Sequence, residues 1–254
     1  MSLMNQKDKR EILPFLEKLD PNTEDTNYTL ELSWKGAIQK YELVKRYVGS
    51  EDVVLDAGCG YGWGAAEIAA IANKVIGIDS DAPSVETAKE RYKKLNLEFI
   101  VGNIENMRFE GSSFTLVSCI EVIEHMSIPI DALEAINHVL APEGILVLTT
   151  PNGRNTMREG IPGHDYHIKE YTIEEMYKML SETGFKVEHT FGQYIPFGFF
   201  MKFLGNKINH SSNPEYGDLQ KILNTIPIVP DVCSRFYPHL VSTSKSVGYI
   251  ARKI

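Results

Sequence analysis

The chain has 254 residues, 43% of them hydrophobic, which is enough for a sizeable α/β core; one domain with additions is the simplest expectation. Its 34 Asp and Glu outnumber 26 Lys and Arg to give a net charge of -8, which argues against a broad nucleic-acid or anionic-membrane surface. Cys59, Cys119 and Cys233 form no CxxC pair, so neither a disulfide framework nor a structural zinc site is indicated, and a reducing cytoplasm is the expected home.

A second Met at position 4 marks residues 1–3 as an added leader, and the stretch after it lacks the continuous apolar core of a signal peptide. Residues 4–32 are polar, carry Pro14, Pro21 and DPNTEDTN, and predict an extended or irregular arm. Trp34, Ile38, Tyr41, Val44 and Val48 fall at helical spacing and predict a helix over 33–48, stopped by Gly49. Short apolar runs then alternate with helical patterns: VVLDA, AAEIAAIA, VIGI, APSVETAKERYKKL, LEFIV, FTLVSCI, IDALEAINHVL and ILVLTT. Mostly apolar strands joined by helices predict a buried parallel sheet of the doubly wound kind, which binds ligands at the carboxyl ends of its strands. After Pro151 comes the glycine-containing loop GRNTMREGIPGHDYH, then a helix over 172–183 closed by Gly184, and the strand FKVEHTF. Residues 192–243 break the alternation with aromatics and prolines, and SVGYIARK ends the chain as a strand. The most apolar late stretch, 194–204, falls short of the ~20 residues that a bilayer span requires.

The segment VVLDAGCGYGWGAAEIA, 53–69, holds four glycines within seven residues where a strand turns into a helix, as if a ligand lay directly against the backbone. Two ligands fit such a loop. Gly60, Gly62 and Ala65 match the dinucleotide fingerprint GxGxxG/A, with Asp79 placed 17 residues after Gly62 to receive a ribose. The stretch VLDAGCGYG also has an acid closing the strand before the glycines begin, and a pyrophosphate would be repelled by Asp56.

In that second pattern the chain resembles the class I S-adenosylmethionine-dependent methyltransferases, from about Tyr41 to Lys186 with a returning strand at the end. The resemblance implies a Rossmann-like doubly wound α/β sheet of seven strands, mostly parallel with an antiparallel last strand. It implies an N-terminal arm and helix, 1–48, that caps cofactor and substrate, and a methyltransferase domain, 49–254, with a lid insertion at 192–243. S-adenosylmethionine is the implied cofactor. Gly58, Cys59, Gly60, Tyr61 and Gly62 would wrap it, and Asp56 would serve its ammonium directly or through water. Asp79 and Ser80, closing VIGIDS, would take the ribose. Asn103 stands where the family usually has an acid for the adenine amino group, Ile104 would pack on the adenine, and Ile120 and Glu121 would line the pocket. The turn in PEGILVLTTPN carries Glu143 where a second glycine is common.

Chemistry on an acceptor would fall to His125 and His167, in EVIEHM and HIKEYT, with Glu121, Glu124 and His164 as further candidate bases. Glu121, Glu124 and His125 with a later His resemble the pattern of small-RNA 2′-O-methyltransferases, and related acidic patterns occur in ubiquinone-pathway enzymes. Such a set could hold a divalent cation; the alternative carried forward is local hydrogen bonding with no metal. His138 and His189 read as structural, and Cys59 and Cys119 lack a base partner. An aromatic cluster, Phe191, Tyr194, Phe197, Phe199, Phe200, Met201 and Phe203, reads as lid packing or as a surface for an apolar acceptor, with Trp34 and Tyr41 closing over the cofactor. The expected activity is methyl transfer to an oxygen or nitrogen of a small molecule, with a nicotinamide-dependent oxidoreductase, a noncatalytic cofactor-binding protein and RNA methylation as the alternatives.

Overall fold

In a computed structural model, the structure describes residues 28–157, 161–162, 165–193, 237–238 and 241–254, with side chains from residue 35 onward. Seven strands form one sheet: β1 (Val53–Ala57), β2 (Lys74–Asp79), β3 (Leu97–Val101), β4 (Phe114–Ile120), β5 (Leu140–Pro151), β6 (Phe185–Gln193) and β7 (Ser246–Lys253). Their order is β3-β2-β1-β4-β5-β7-β6. The first five are parallel to one another, and β7 runs antiparallel to both β5 and β6, as the resemblance implied.

A period of two divides each apolar run between the two faces of the sheet. Leu55, Val117, Leu146 and Tyr249 point to one face, where they meet α4 (Pro129–Val139) and, after the short α5 (Gly153–Thr156), α6 (Ile173–Glu182). Val54, Leu116, Val147 and Ile250 point to the other, where they meet α1 (Tyr28–Lys45), α2 (Trp63–Ile68) and α3 (Ala82–Arg91). Each fully buried Leu, Ile or Val contributes roughly 1.5–3 kcal/mol. These two cores therefore hold the sheet, and α1 belongs to the second through Tyr41, Leu43 and Val44.

Among the boundaries that differ from the sequence reading, three have a visible cause. Helix α1 begins at Tyr28, so 28–32 are helical rather than part of an irregular arm; nothing between Pro21 and Gly36 breaks a helix. It ends at Lys45 instead of Val48, and Arg46, Tyr47 and Val48 close it with tighter three-residue turns onto Leu43, Val44 and Lys45. Helix α3 stops at Arg91: Tyr92 still packs on the core, but Leu95 is fully exposed, and Lys94 and Asn96 bond to carbonyls of Ala66, Ala69 and Ala72. By contrast, α6 follows its signals closely. Thr172 and Glu175 form a reciprocal capping box, and Gly184 follows at φ +80.

Glu143 adopts φ 61, a left-handed conformation in the turn that enters the main run of β5. A glycine there would carry no Cβ strain, which is the physical meaning of the glycine that the resemblance expects. Among the described residues no helix is long and apolar enough to cross a membrane.

Candidate active site

The carboxyl ends of β1, β2, β4 and β5 meet on one edge of the sheet, with the order reversing between β1 and β4. That edge is where an open α/β sheet offers a crevice. Asp79 closes β2 there, half-buried. Its Oδ2 accepts from the Gly60 amide at 2.8 Å and its Oδ1 from the Asp81 amide at 2.9 Å. The cap of α3 is Asp81, which accepts from the Ser84 amide at 3.1 Å, so Asp79 is not needed for that task. Each Asp79 oxygen keeps a second lone pair that a ribose hydroxyl could use. Ser80 beside it is exposed.

The glycine run is needed mostly for the protein itself. A Cβ on Gly62, at φ +80, would come within 2.6 Å of the Phe99 ring and 2.7 Å of Ala88. One on Gly58 would strike Val122 at 2.3 Å, and one on Gly64 would enter the Tyr41 ring at 1.9 Å. Gly60 differs: at φ +51 its missing Cβ has nothing within 4 Å among the described residues. The expectation that the whole run makes room for a ligand therefore narrows to Gly60, which leaves a cradle of the kind a cofactor fills. Gly58 and Cys59 spend their amides on the Ile78 carbonyl, at 2.8 and 3.1 Å, and the Cys59 side chain is buried in the core. Tyr61 is half-buried at the crest of the loop.

Asp56 lies beneath this loop with no solvent exposure. Ser118 Oγ donates to its Oδ1 at 2.7 Å and the Tyr41 hydroxyl to its Oδ2 at 3.1 Å. Burial raises the Asp56 carboxyl to about 6 from an ordinary 3.8, against the opposing pull of these two hydrogen bonds. Burial, and then the Asp56 charge, push the Tyr41 phenol well up. Because the folded state holds the Asp56 proton more tightly than the unfolded chain, its effect favours folding below pH 4 and is lost as pH rises through about 6. The difference amounts to roughly 3 kcal/mol. The stability of the wild-type chain relative to Asp56→Asn should therefore fall by about that much between pH 4 and pH 7, measured by urea unfolding of both proteins.

Beyond β3, Asn103 caps a short 3₁₀ turn (Ile104–Asn106): its Oδ1 accepts from the Glu105 amide at 3.0 Å and its amide group donates to Glu105 Oε2 at 3.2 Å. Asn103 is exposed and Ile104 is buried. At the end of β4, Ile120 is half-buried and Glu121 adopts φ 54. That turn aims the Glu121 carboxylate at Lys40 Nζ, 2.9 Å away, and at the Ser246 hydroxyl, 3.2 Å away. Burial works to raise the Glu121 carboxyl, but the Lys40 ammonium and the Thr149 and Ser246 hydroxyls outweigh it and hold the group below its ordinary range. Burial, and then the Glu121 charge, push neighbouring Glu124 up.

A second short 3₁₀ turn (Ile123–His125) follows β4, and the segment from Tyr166 to Tyr171 docks on it. The Ile168 and Lys169 amides both donate to the Glu124 carbonyl, at 2.8 and 3.2 Å. This docking brings the two sequence-predicted histidines together, their rings 4.9 Å apart in an edge-on arrangement. His125 Nδ1 bonds the Tyr166 carbonyl at 3.1 Å, and His167 Nδ1 bonds Glu170 Oε1 at 2.6 Å. Glu170 is buried and also accepts from the Thr156 hydroxyl. Glu124 is fully buried; Thr150 Oγ1 donates to its Oε2 at 3.0 Å, and its Oε1 has no hydrogen-bond partner among the described residues.

The structure thus gathers Glu124, His125 and His167 at one point and turns Glu121 away to Lys40. Sequence reasoning did not find Lys40, Ser118 or Thr150, which carry no motif. Glu170 had a signal, the H-x-x-E spacing from His167, which was not used. His138 on α4 and His189 on β6 are exposed and stand apart from the pair. Cys119 is buried, and burial foremost pushes its thiol up, away from a nucleophilic role. His164, the side chain of Trp34 and the aromatic residues from Tyr194 to Phe203 lie outside the described part.

A family model described as a methyltransferase domain matches residues 55–148, which span the glycine loop, Asp79 and the end of β4. A probable S-adenosylmethionine-dependent methyltransferase of Mycolicibacterium smegmatis is 31% identical over 180 residues, covering 70% of this chain and 67% of its own. The ubiquinone biosynthesis O-methyltransferase of Roseobacter denitrificans is 29% identical over 145 residues, 52% of this chain and 58% of its own, so this chain spans little more than half of that relative. In fold, the chain is similar to an S-adenosylmethionine-dependent methyltransferase from Thermotoga maritima, with TM-score 0.60 and 14% identity over 98% of this chain and 96% of that one. It is also similar to the [4+2]-cyclase SpnF, with TM-score 0.58 and 20% identity over 84% and 79%. At such identities the likeness is one of fold, and a cyclase among the neighbours means that fold alone does not specify methyl transfer.

Proposed function

Because the chain belongs to the S-adenosylmethionine-dependent methyltransferase family and has S-adenosylmethionine as its cofactor, we propose that it methylates an oxygen or nitrogen of a small-molecule acceptor at the edge of the sheet beside His125 and His167. Family membership sets aside the dinucleotide reading of the glycine loop. The observation that carries the proposal is the paired histidines, each with Nδ1 engaged by an acceptor oxygen. In the neutral ring that bond keeps the proton on Nδ1 and leaves the lone pair on Nε2, the atom able to receive a proton from an acceptor O–H or N–H.

In this reading the open face of Gly60 and the Asp79 carboxylate hold the ribose end of the cofactor, Asn103 and Ile104 its adenine, and Ile120 and Glu121 the wall between. Asp56, fully buried under Tyr41, acts on the cofactor's ammonium through the Tyr41 hydroxyl and through its charge rather than by direct contact. When bound, the cofactor supplies a methyl group already activated by a positive sulfur. The protein's share is therefore positioning and proton removal. The likeness to the Roseobacter denitrificans O-methyltransferase favours an oxygen as the methylated atom, and the net charge of -8 speaks against RNA.

The test is S-adenosylhomocysteine formation across a panel of phenols, catechols, amines, thiols and a short RNA. Turnover of hydroxyl or amine acceptors, lost in His167→Ala, is expected. Turnover only of thiols or RNA would overturn the acceptor assignment, and cofactor binding without any turnover would favour a noncatalytic role.

A further inference from the structure

We propose that Glu124, His125 and His167 form a binding site for a divalent transition-metal ion. One ligand atom from each, a carboxylate oxygen and two ring nitrogens, can be chosen so that all lie within 4.8 Å of one another. Metal-ligand bonds of about 2.0–2.2 Å put such atoms within about 4.4 Å, so a small side-chain adjustment closes the set.

A cluster of this kind can be a hydrogen-bonded corner and nothing more, and Glu124 decides against that. It has no solvent exposure, one oxygen is held by Thr150, and the other, Oε1, has no hydrogen-bonding partner among the described residues. A buried polar atom left without a partner costs about 1–3 kcal/mol, and a bound cation would remove that cost. Acid-base use of the histidines leaves Oε1 unexplained.

The surroundings also match a metal site. His125 and His167 each direct Nδ1 to an oxygen, the Tyr166 carbonyl and the Glu170 carboxylate, which fixes the tautomer that carries its lone pair on Nε2. Glu170 is in turn buried and bonded to Thr156, so the support has its own support. Two imidazoles and one carboxylate suit zinc, manganese, cobalt or iron(II) better than magnesium or calcium, which prefer all-oxygen sets. Glu121, which the sequence grouped with these residues, is engaged by Lys40 and Ser246 and is not part of the set. Three protein ligands leave coordination positions open. Resting on the proposed function, the ion would polarise an acceptor hydroxyl there, and the histidines would act through it instead of taking the proton themselves.

The experiment is titration of chelator-treated full-length protein with Co²⁺, followed by visible absorption and calorimetry, and repeated with Zn²⁺ and Mn²⁺. One ion per chain is expected, with affinity at least about tenfold lower in Glu124→Gln and His167→Ala and unchanged in His189→Ala. Circular dichroism shows whether each variant is folded; should one of them not fold, Glu170→Gln, which leaves all three ligands in place and perturbs the support of His167, should still weaken binding. Absence of stoichiometric binding of all three ions, or binding indifferent to these substitutions, overturns the site. Metal bound normally by a protein that methylates no hydroxyl or amine leaves this site standing and removes the acceptor reading. Full methylation by metal-free protein leaves the histidines as direct bases and removes the ion's role.

Discussion

Replacing Asp79 with alanine should lower the affinity for S-adenosylhomocysteine by about 100- to 10,000-fold, measured by calorimetric titration. The estimate rests on two hydrogen bonds from ribose hydroxyls to one carboxylate, each worth about 1.5–3 kcal/mol. Asp79 closes β2 at the edge of the sheet and already holds the Gly60 amide through Oδ2 and the Asp81 amide through Oδ1. Removing it therefore also loosens the loop that forms the cradle. Both consequences act on the cofactor, whereas the core is built from other residues and Asp81 keeps the cap of α3. The variant should consequently stay folded, with a modest fall in unfolding midpoint. Asp79→Asn should lie between the two, since an amide offers one accepting oxygen instead of two. Unchanged affinity in the alanine variant would remove Asp79 from the cofactor site and reopen the assignment of the loop.

Asp79 was legible because a strand-ending acid after an apolar run is a local signal, and so was the sheet, whose strands are short apolar runs between helices. Other features are set by contacts far apart in sequence and leave no local mark. Lys40 reads as one more polar residue of a helix until the fold brings it to Glu121, 81 positions later. Glu121 and Glu143 occupy left-handed backbone that a sequence reading assigns to glycine, asparagine or aspartate. The pairing of His125 with His167 depends on two backbone bonds to the Glu124 carbonyl, so the motifs could be listed separately but not joined. The glycine run was legible as a loop of unusual backbone, yet its cause was misread. Three of its members make room for Val122, Phe99 with Ala88, and Tyr41, and one leaves space.

That division gives two alanine substitutions two residues apart opposite consequences. Gly62→Ala forces left-handed backbone at φ +80 on a residue with a Cβ, about 1–2 kcal/mol, and drives that atom to 2.6 Å from the Phe99 ring and 2.7 Å from the Ala88 Cβ. Overpacking of this kind adds about 1–3 kcal/mol. The sum, about 2–5 kcal/mol, should lower the melting temperature by roughly 5–20 °C in a chain of this size. Gly60→Ala carries only the backbone part, because no atom of the described residues stands within 4 Å of its new methyl, so its melting temperature should fall by no more than about 8 °C. Its methyl, however, occupies the space in which the cofactor would lie. Cofactor affinity in Gly60→Ala should drop by about tenfold or more while the fold persists, whereas in Gly62→Ala the loss of binding should follow the loss of fold. Differential scanning calorimetry and cofactor titration on the two proteins separate these outcomes. A Gly60→Ala protein with normal affinity would mean that the open face of the loop is not where the cofactor rests.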